Sequence, residues 1–115
     1  MRKINRLLKH EDFQRVLNQG VKYRDDCFLM AATLNKEGHL RAGISVSRKV
    51  GDAVCRVRVR RQVRAIIGGL NILSCPIDLV IIPKHAFMDE RFAELAGRFQ
   101  KGIVSLDRRI KWENL

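Results

Sequence analysis

Between Ser47 and Ile66 the chain reads SRKVGDAVCRVRVRRQVRAI, and this stretch concentrates the chemistry of the sequence. Seven cations, Arg48, Lys49, Arg56, Arg58, Arg60, Arg61 and Arg64, stand against one acid, Asp52. An arginine fork matches phosphate oxygens in charge and in planar geometry. A run of such forks suits a polyphosphate chain, which usually means nucleic acid. The competing reading is a solvated basic face on a core-packing helix. No acids interleave to neutralise this run, and like charges one turn apart repel, which favours the binding reading.

No other part of the chain assembles a catalytic constellation. The adjacent carboxylates Asp25-Asp26 and Asp89-Glu90 lie in polar, turn-like contexts, where such pairs are usually solvated. There is no phosphate-binding glycine loop and no H-E-x-x-H. Ser45 and Ser47 lack His-Asp partners. His10, His39 and His85 are scattered and read as surface residues, not metal ligands. No catalytic and no metal-ligating side chain is therefore expected; an enzyme served by this chain must draw its reacting groups from elsewhere.

The elements that position the basic run are legible from periodicity. Gly51 can turn the backbone and Asp52 can cap a helix running from about Asp52 to Leu70 and ending near Gly68-Gly69. At about 100° per residue, Val59, Val63, Ile66, Ile67 and Leu70 share one sector. Arg58, Arg60, Arg61 and Arg64 fall in the opposite half, and Val57 lands between Arg64 and Arg61. Arg56 lies near the apolar sector but sits in the first turn, from which it can reach outward.

Upstream, Met1–Lys9 reads as a basic extended arm, and Glu11–Gln19 as a helix with acids in its first turn, stopped by Gly20. Phe13, Val16 and Leu17 share its apolar face. Cys27–Leu34 and Leu40–Ser47 read as strands joined by a turn around Gly38, a pattern that suggests an antiparallel hairpin. In the second strand Ala42, Ile44 and Val46 face one side, and Gly43, Ser45 and Ser47 the other. That small, polar face suits either a groove floor or a solvated edge sheet. Ile77–Ile82, bracketed by Pro76 and Pro83, has the continuous apolar pattern of a strand buried on both faces. Met88–Leu106 reads as an amphipathic helix through Phe92, Leu95, Phe99 and Ile103. The tail around Trp112 has no assignment.

Composition bounds the class. The 115 residues fit one domain, and 46% hydrophobic content excludes a disordered basic tail. The formal charge of +11 favours polyanions and makes their binding salt-dependent. No apolar run reaches the roughly 20 residues of a membrane span, and no signal peptide is read at the start. Cys27, Cys55 and Cys75 are odd in number, widely spaced and without a C-x-x-C pair. They read as small buried hydrophobes in a reducing compartment, which points to the cytoplasm.

These residues carry a resemblance to the protein subunit of bacterial ribonuclease P. Asn5-Arg6-Leu7 followed by Glu11-Asp12-Phe13 resembles the family's opening. Gly43–Ser47, GISVS, leads into Arg48, Lys49, Gly51, Ala53 and Val54, and Arg56-x-Arg58 with Arg61 and Arg64 resembles the family's R-N-R helix. The IDLVII strand and a closing helix follow in order, so the resemblance spans about residues 3–105. The chain departs from the pattern at Val57, where the family has Asn, so a polar contact to RNA is missing on that face. It also has Leu17 and Ala31 where the family tends to carry aromatics, which leaves Phe13 as the stacking candidate; the alternative for Phe13 is a core residue under the first helix.

The resemblance implies an α+β fold, an α/β sandwich with the order helix–strands–basic helix–strand–helix around a small mixed sheet, and a left-handed crossover. It implies a single RNA-binding domain over residues 1–115 that takes part in removing the 5′ leader of precursor transfer RNA. The catalyst would be the ribonuclease P RNA, with magnesium held mainly by that RNA. Arg48, Lys49, Arg56, Arg58, Arg60, Arg61 and Arg64 would meet phosphates of the catalytic RNA. A groove lined by Phe13, Leu17, Leu29, Ala31 and Ser45, flanked by Lys49, would guide the single-stranded leader through charge and stacking. The expected partners are ribonuclease P RNA and precursor transfer RNA, with no membrane and no obligate protein partner. Two other classes stay open: a structural RNA-binding protein of ribosomal type, and a DNA-binding helix-turn-helix protein. The second is disfavoured because a strand precedes the basic helix.

Overall fold

In the computed structural model, residues 5–7 and 9–112 are described. The elements run α1 (His10–Gln19), β1 (Val21–Arg24), β2 (Phe28–Leu34), β3 (Arg41–Ile44), α2 (Ala53–Gly69), β4 (Ile77–Pro83) and α3 (Phe92–Ile110). A short 3-10 helix, His85–Asp89, precedes α3.

The strands form one mixed sheet in the order β1-β2-β4-β3. β2 pairs antiparallel with β1 and with β4, while β3 runs parallel to β4. The hairpin expected between Cys27–Leu34 and Leu40–Ser47 does not form, because β4 inserts between those strands. The hairpin partner of β2 is instead β1, turned by Asp25, whose Oδ1 accepts from the Cys27 N–H at 2.8 Å. β4, like β2, has a strand on either side, which suits its long apolar run.

Side-chain alternation splits the core between the two faces of the sheet. Phe28, Met30 and Ala32 of β2 join Ile77, Leu79 and Ile81 of β4 beneath α2 and α3. α2 contributes Val59, Val63, Ile66 and Ile67, and α3 contributes Leu95, Phe99, Ile103 and Leu106. Phe28 and Phe99 pack in a tilted pair with centroids 4.4 Å apart. On the other face Ala31 and Val80 pack with Leu7 and Val16 of the N-terminal segment and α1. The result is an α+β sandwich, helices on both faces of a mixed sheet.

Three expectations shift. α3 begins at Phe92, not Met88, because Met88 belongs to the 3-10 turn; Phe92 itself is 47% exposed, in a first turn that overhangs the core. Among the cysteines Cys27 is buried, whereas Cys55 and Cys75 are only half-buried. Trp112, unassigned from sequence, is buried in the main core. Of the N-terminal arm, Met1–Ile4 and Leu8 lie outside the described residues. Asn5 donates Nδ2 to the Leu40 carbonyl at 2.7 Å, and the Leu7 N–H donates to the Ala42 carbonyl at 2.9 Å. Arg6 bridges to Ala42 in the parallel sense, so the arm tacks onto the outer edge of β3.

Candidate nucleic-acid interface

α2 is launched by a tight local design. The Val50 N–H closes a turn onto the Ser47 carbonyl at 3.1 Å, and Arg48 and Lys49 stand exposed on it. A Cβ at Gly51 would come within 2.8 Å of the Cys55 Cβ, so the close approach of turn and helix admits only glycine. Asp52 accepts from the Cys55 N–H at 2.8 Å as the N-cap, and this hydrogen bond holds its carboxyl below the usual carboxylate range. The basic run therefore begins in register with the core-facing residues.

The helical phase agrees with the sequence projection. Val59, Val63, Ile66 and Ile67 are buried, whereas Val57 is 52% exposed among the arginines. Arg58 and Arg61 are exposed, and Arg60 is half-buried at the side facing α1. Arg56 folds back, donating Nη1 to the Gly51 carbonyl at 3.2 Å. Arg64 is half-buried; burial, and then the neighbouring Arg6 and Arg60 cations, press its guanidinium below its ordinary value. Arginine stays protonated in proteins, so this is a crowded cationic cluster.

Among the described residues, every ion pair of an arginine with an acid involves Arg15, Arg41 or Arg98, and none involves α2. Among the described residues, the arginines of α1, β3 and α3 that pair are matched by acids, whereas those of α2 form no ion pair and have only Asp52 near Arg56 as an opposite charge. Such an arrangement is unfavourable in isolation and becomes favourable against an anionic partner.

Beside this face a cleft of about 350 Å³ separates α1 from the end of β3. Its lining joins His10, Phe13, Gln14 and Leu17 of α1 to Ile44, Ser45 and Val46, with Arg60 of α2 at its rim. Phe13 is half-buried against the smaller core cluster and also lines the cleft. Its ring rests on Gly43, where an added Cβ would lie 2.4 Å from Phe13 Cζ. Of the residues read as groove-lining, Phe13, Leu17 and Ser45 come together there. Ala31 does not: it is completely buried beneath α1 and offers no surface. Leu29 is half-buried on β2, two strands away from β3, beside Ile82 of β4, and Lys49 stands outside the lining.

Sequence reasoning missed the polar anchor of α1. Asp78, fully buried in β4, accepts from Arg15 of α1 at 2.5 Å, from Arg41 of β3 at 2.8 and 2.7 Å, and from Asn35 at 2.9 Å. The available signal was one acid inside the otherwise apolar IDLVII run. The Asp78 oxygens are taken by these donors, and among the described residues no group of three or more His, Cys, Asp or Glu converges.

Fold and face together define a small basic α+β protein that presents an unneutralised arginine helix next to a half-apolar cleft. A family model described as Ribonuclease P matches residues 1–107. The ribonuclease P protein component of Bacillus velezensis is 41% identical over 102 residues, 87% of each chain. That of Mycoplasma capricolum is 30% identical over 105 residues, 90% of this chain and 93% of the relative. The solved RNase P protein of Staphylococcus aureus superposes with a TM-score of 0.71 at 29% identity, covering 90% of this chain and 93% of that one. The RNase P protein of Thermotoga maritima gives 0.72 at 26% identity, covering 90% and 96%. The chain belongs to the ribonuclease P protein family.

Proposed function

We propose that this chain is the protein subunit of a ribonuclease P holoenzyme, which removes the 5′ leader of precursor transfer RNA. The observation that carries the reading, beyond family membership, is the set of α2 arginines that form no ion pair with an acid among the described residues. Arg58 and Arg61 project outward to meet phosphates of the ribonuclease P RNA. Arg60 and Arg64 add charge on the side nearer α1 and Arg6. Arg48, Lys49 and Arg56 extend the basic surface over the turn before the helix.

The cleft between α1 and β3 guides the single-stranded leader. Phe13 and Leu17 give an apolar wall, Ser45 a small polar floor, and Arg60 a cation at the rim, which suits a flexible backbone with unstacked bases. Among the described residues no three metal-ligating side chains converge, and metal-assisted hydrolysis is assigned to the partner RNA. The protein acts in the cytoplasm; among the described residues no helix is long and apolar enough to cross a membrane.

Reconstitution tests this. Purified chain, ribonuclease P RNA and a precursor transfer RNA are combined at low magnesium, and 5′ ends are mapped. The protein should raise cleavage at the mature 5′ end, and protein without RNA should cleave nothing. Cleavage by RNA-free protein would overturn the division of labour. Tight RNA binding with no gain in cleavage would replace the reading with that of a structural RNA-binding protein.

A further inference from the structure

α2 is apolar on two opposite sides. Its inner side carries the buried valines and isoleucines. Diametrically across, Val54 is 70% exposed and Val57 52% exposed, among the most exposed large hydrophobic residues of the chain. Together with Ala53, Arg58 and Arg61 they line a shallow cavity of about 380 Å³. Small-molecule sites begin at roughly 300 Å³, so the depression is large enough for one planar heterocycle.

The spacing makes this a built seat. Val54 precedes Arg58 by four residues, and Val57 precedes Arg61 by four. Helical side chains lean toward the N-terminus, so each arginine stem lies over the valine one turn before it. The floor is apolar and two unneutralised guanidinium groups close its rim. A plain phosphate site has no use for the floor, and an apolar protein partner would leave the two cations desolvated and unpaired. The occupant that satisfies both parts is an aromatic ring attached to a phosphate backbone.

We infer that the outer side of α2 seats an unpaired nucleobase of the RNA partner on Val54 and Val57, between Arg58 and Arg61, an inference that rests on the RNA-binding reading of α2. The base lies against the valine methyls, and the arginines take the phosphates on either side or stack on the ring edge. The helix thereby selects RNA that has a bulged or splayed nucleotide over a continuous duplex.

The test uses the full chain and two RNA hairpins, one with a single bulged adenosine and one fully paired, titrated over a range of salt. The native chain should prefer the bulged hairpin by roughly five- to tenfold, the scale of burying part of two valine side chains. V54S/V57S, which keeps every charge, should bind both hairpins equally with an unchanged salt slope. V54I/V57I should keep the preference. Arg61→Ala should lower the salt slope by about 1 for both hairpins. Equal affinity of the native chain for the two hairpins would overturn the inference, as would a preference that survives V54S/V57S. If neither hairpin binds with salt-dependent affinity, the RNA-binding reading of α2 falls first and takes the inference with it. Sedimentation of the RNA-free chain covers the remaining occupant: a dimer abolished by V54S/V57S would assign the seat to a second copy and overturn the base.

Discussion

Arg41 grips Asp78 with a two-pronged hydrogen bond, Nε on one carboxylate oxygen at 2.8 Å and Nη2 on the other at 2.7 Å. Arg15 adds a third charged donor from α1, so one buried carboxylate ties the helix that walls the cleft to the sheet that floors it. Asp78→Asn removes the charge and leaves two arginines facing an amide. The arginines are a quarter to a third exposed, so the loss falls at the lower end for broken buried pairs, about 3 kcal/mol. Urea unfolding of both chains measures it; a difference near zero would show that the network does not hold α1.

The same carboxylate sets an acid limit. Burial alone would raise the pKa of Asp78, but the hydrogen bonds from Arg41, Arg15 and Asn35 outweigh it and hold the value below the ordinary one. A group with a depressed folded pKa stabilises the fold above its unfolded pKa, about 3.9 for Asp, and that contribution fades as pH falls through the folded value. Melting temperature should therefore change little from pH 7 to 5 on account of this group and drop below about pH 4. Asp78→Asn should show a shallower acid drop, because it has no such proton to take up.

Val57 and Val63 are two turns of the same helix with opposite prospects. Val63 is fully buried, and Val63→Ala should destabilise by about 2–3 kcal/mol through lost burial and a cavity. Val57 is half exposed, and Val57→Asn should stay within about 0.5 kcal/mol of the native chain. Thermal melts of the pair check the helical phase, since an inverted result would turn the arginines toward the core.

Arg64 separates stability from binding. It is half-buried and crowded by Arg6 and Arg60. Arg64→Met keeps the aliphatic stem and removes the repulsion, so the free chain should be equally or more stable. Its RNA affinity should fall and its salt slope should drop by about 1. Arg61→Ala, at an exposed position, should lose affinity alone. A marked loss of stability in Arg64→Met would make that arginine structural.

Gly43 controls the width of the cleft. A methyl group there would collide with the end of the Phe13 ring, 2.4 Å away, and rotate it into the cleft. Gly43→Ala should destabilise by about 1 kcal/mol. It should also weaken binding of leader-bearing precursor transfer RNA much more than that of leaderless transfer RNA. Equal weakening of both would place the leader elsewhere.

What could be read from the sequence follows the locality of the cause. α2 was legible to its cap because Asp52, the valine spacing and the terminal glycines all act within one segment. β1 was missed because Val21–Arg24 is four residues with two cations on its exposed side, too short for a periodic signal. The mispaired hairpin had a different cause: neighbouring strands in sequence usually pair, and here the βαβ unit of β3, α2 and β4 places β4 between them. In the candidate site, Phe13, Leu17 and Ser45 were traceable by face, whereas Ala31 shares that face but lies under α1. Asp78 escaped notice because its arginine partners lie 63 and 37 residues away.

The late arrival of β4 has a consequence for how the chain is made. The strand that joins β2 to β3 is not complete until Pro83, after the whole arginine helix has been synthesised. Until then the nascent chain holds two strands with open edges and a dense positive charge, the state most exposed to aggregation and to capture by passing polyanions. Folding must close the long-range pairs Leu34–Ile77 and Phe28–Pro83 before the sheet exists, and such non-local topologies fold slowly. The partner RNA, by shielding the arginines, should therefore speed productive folding as well as lower the free energy of the folded state.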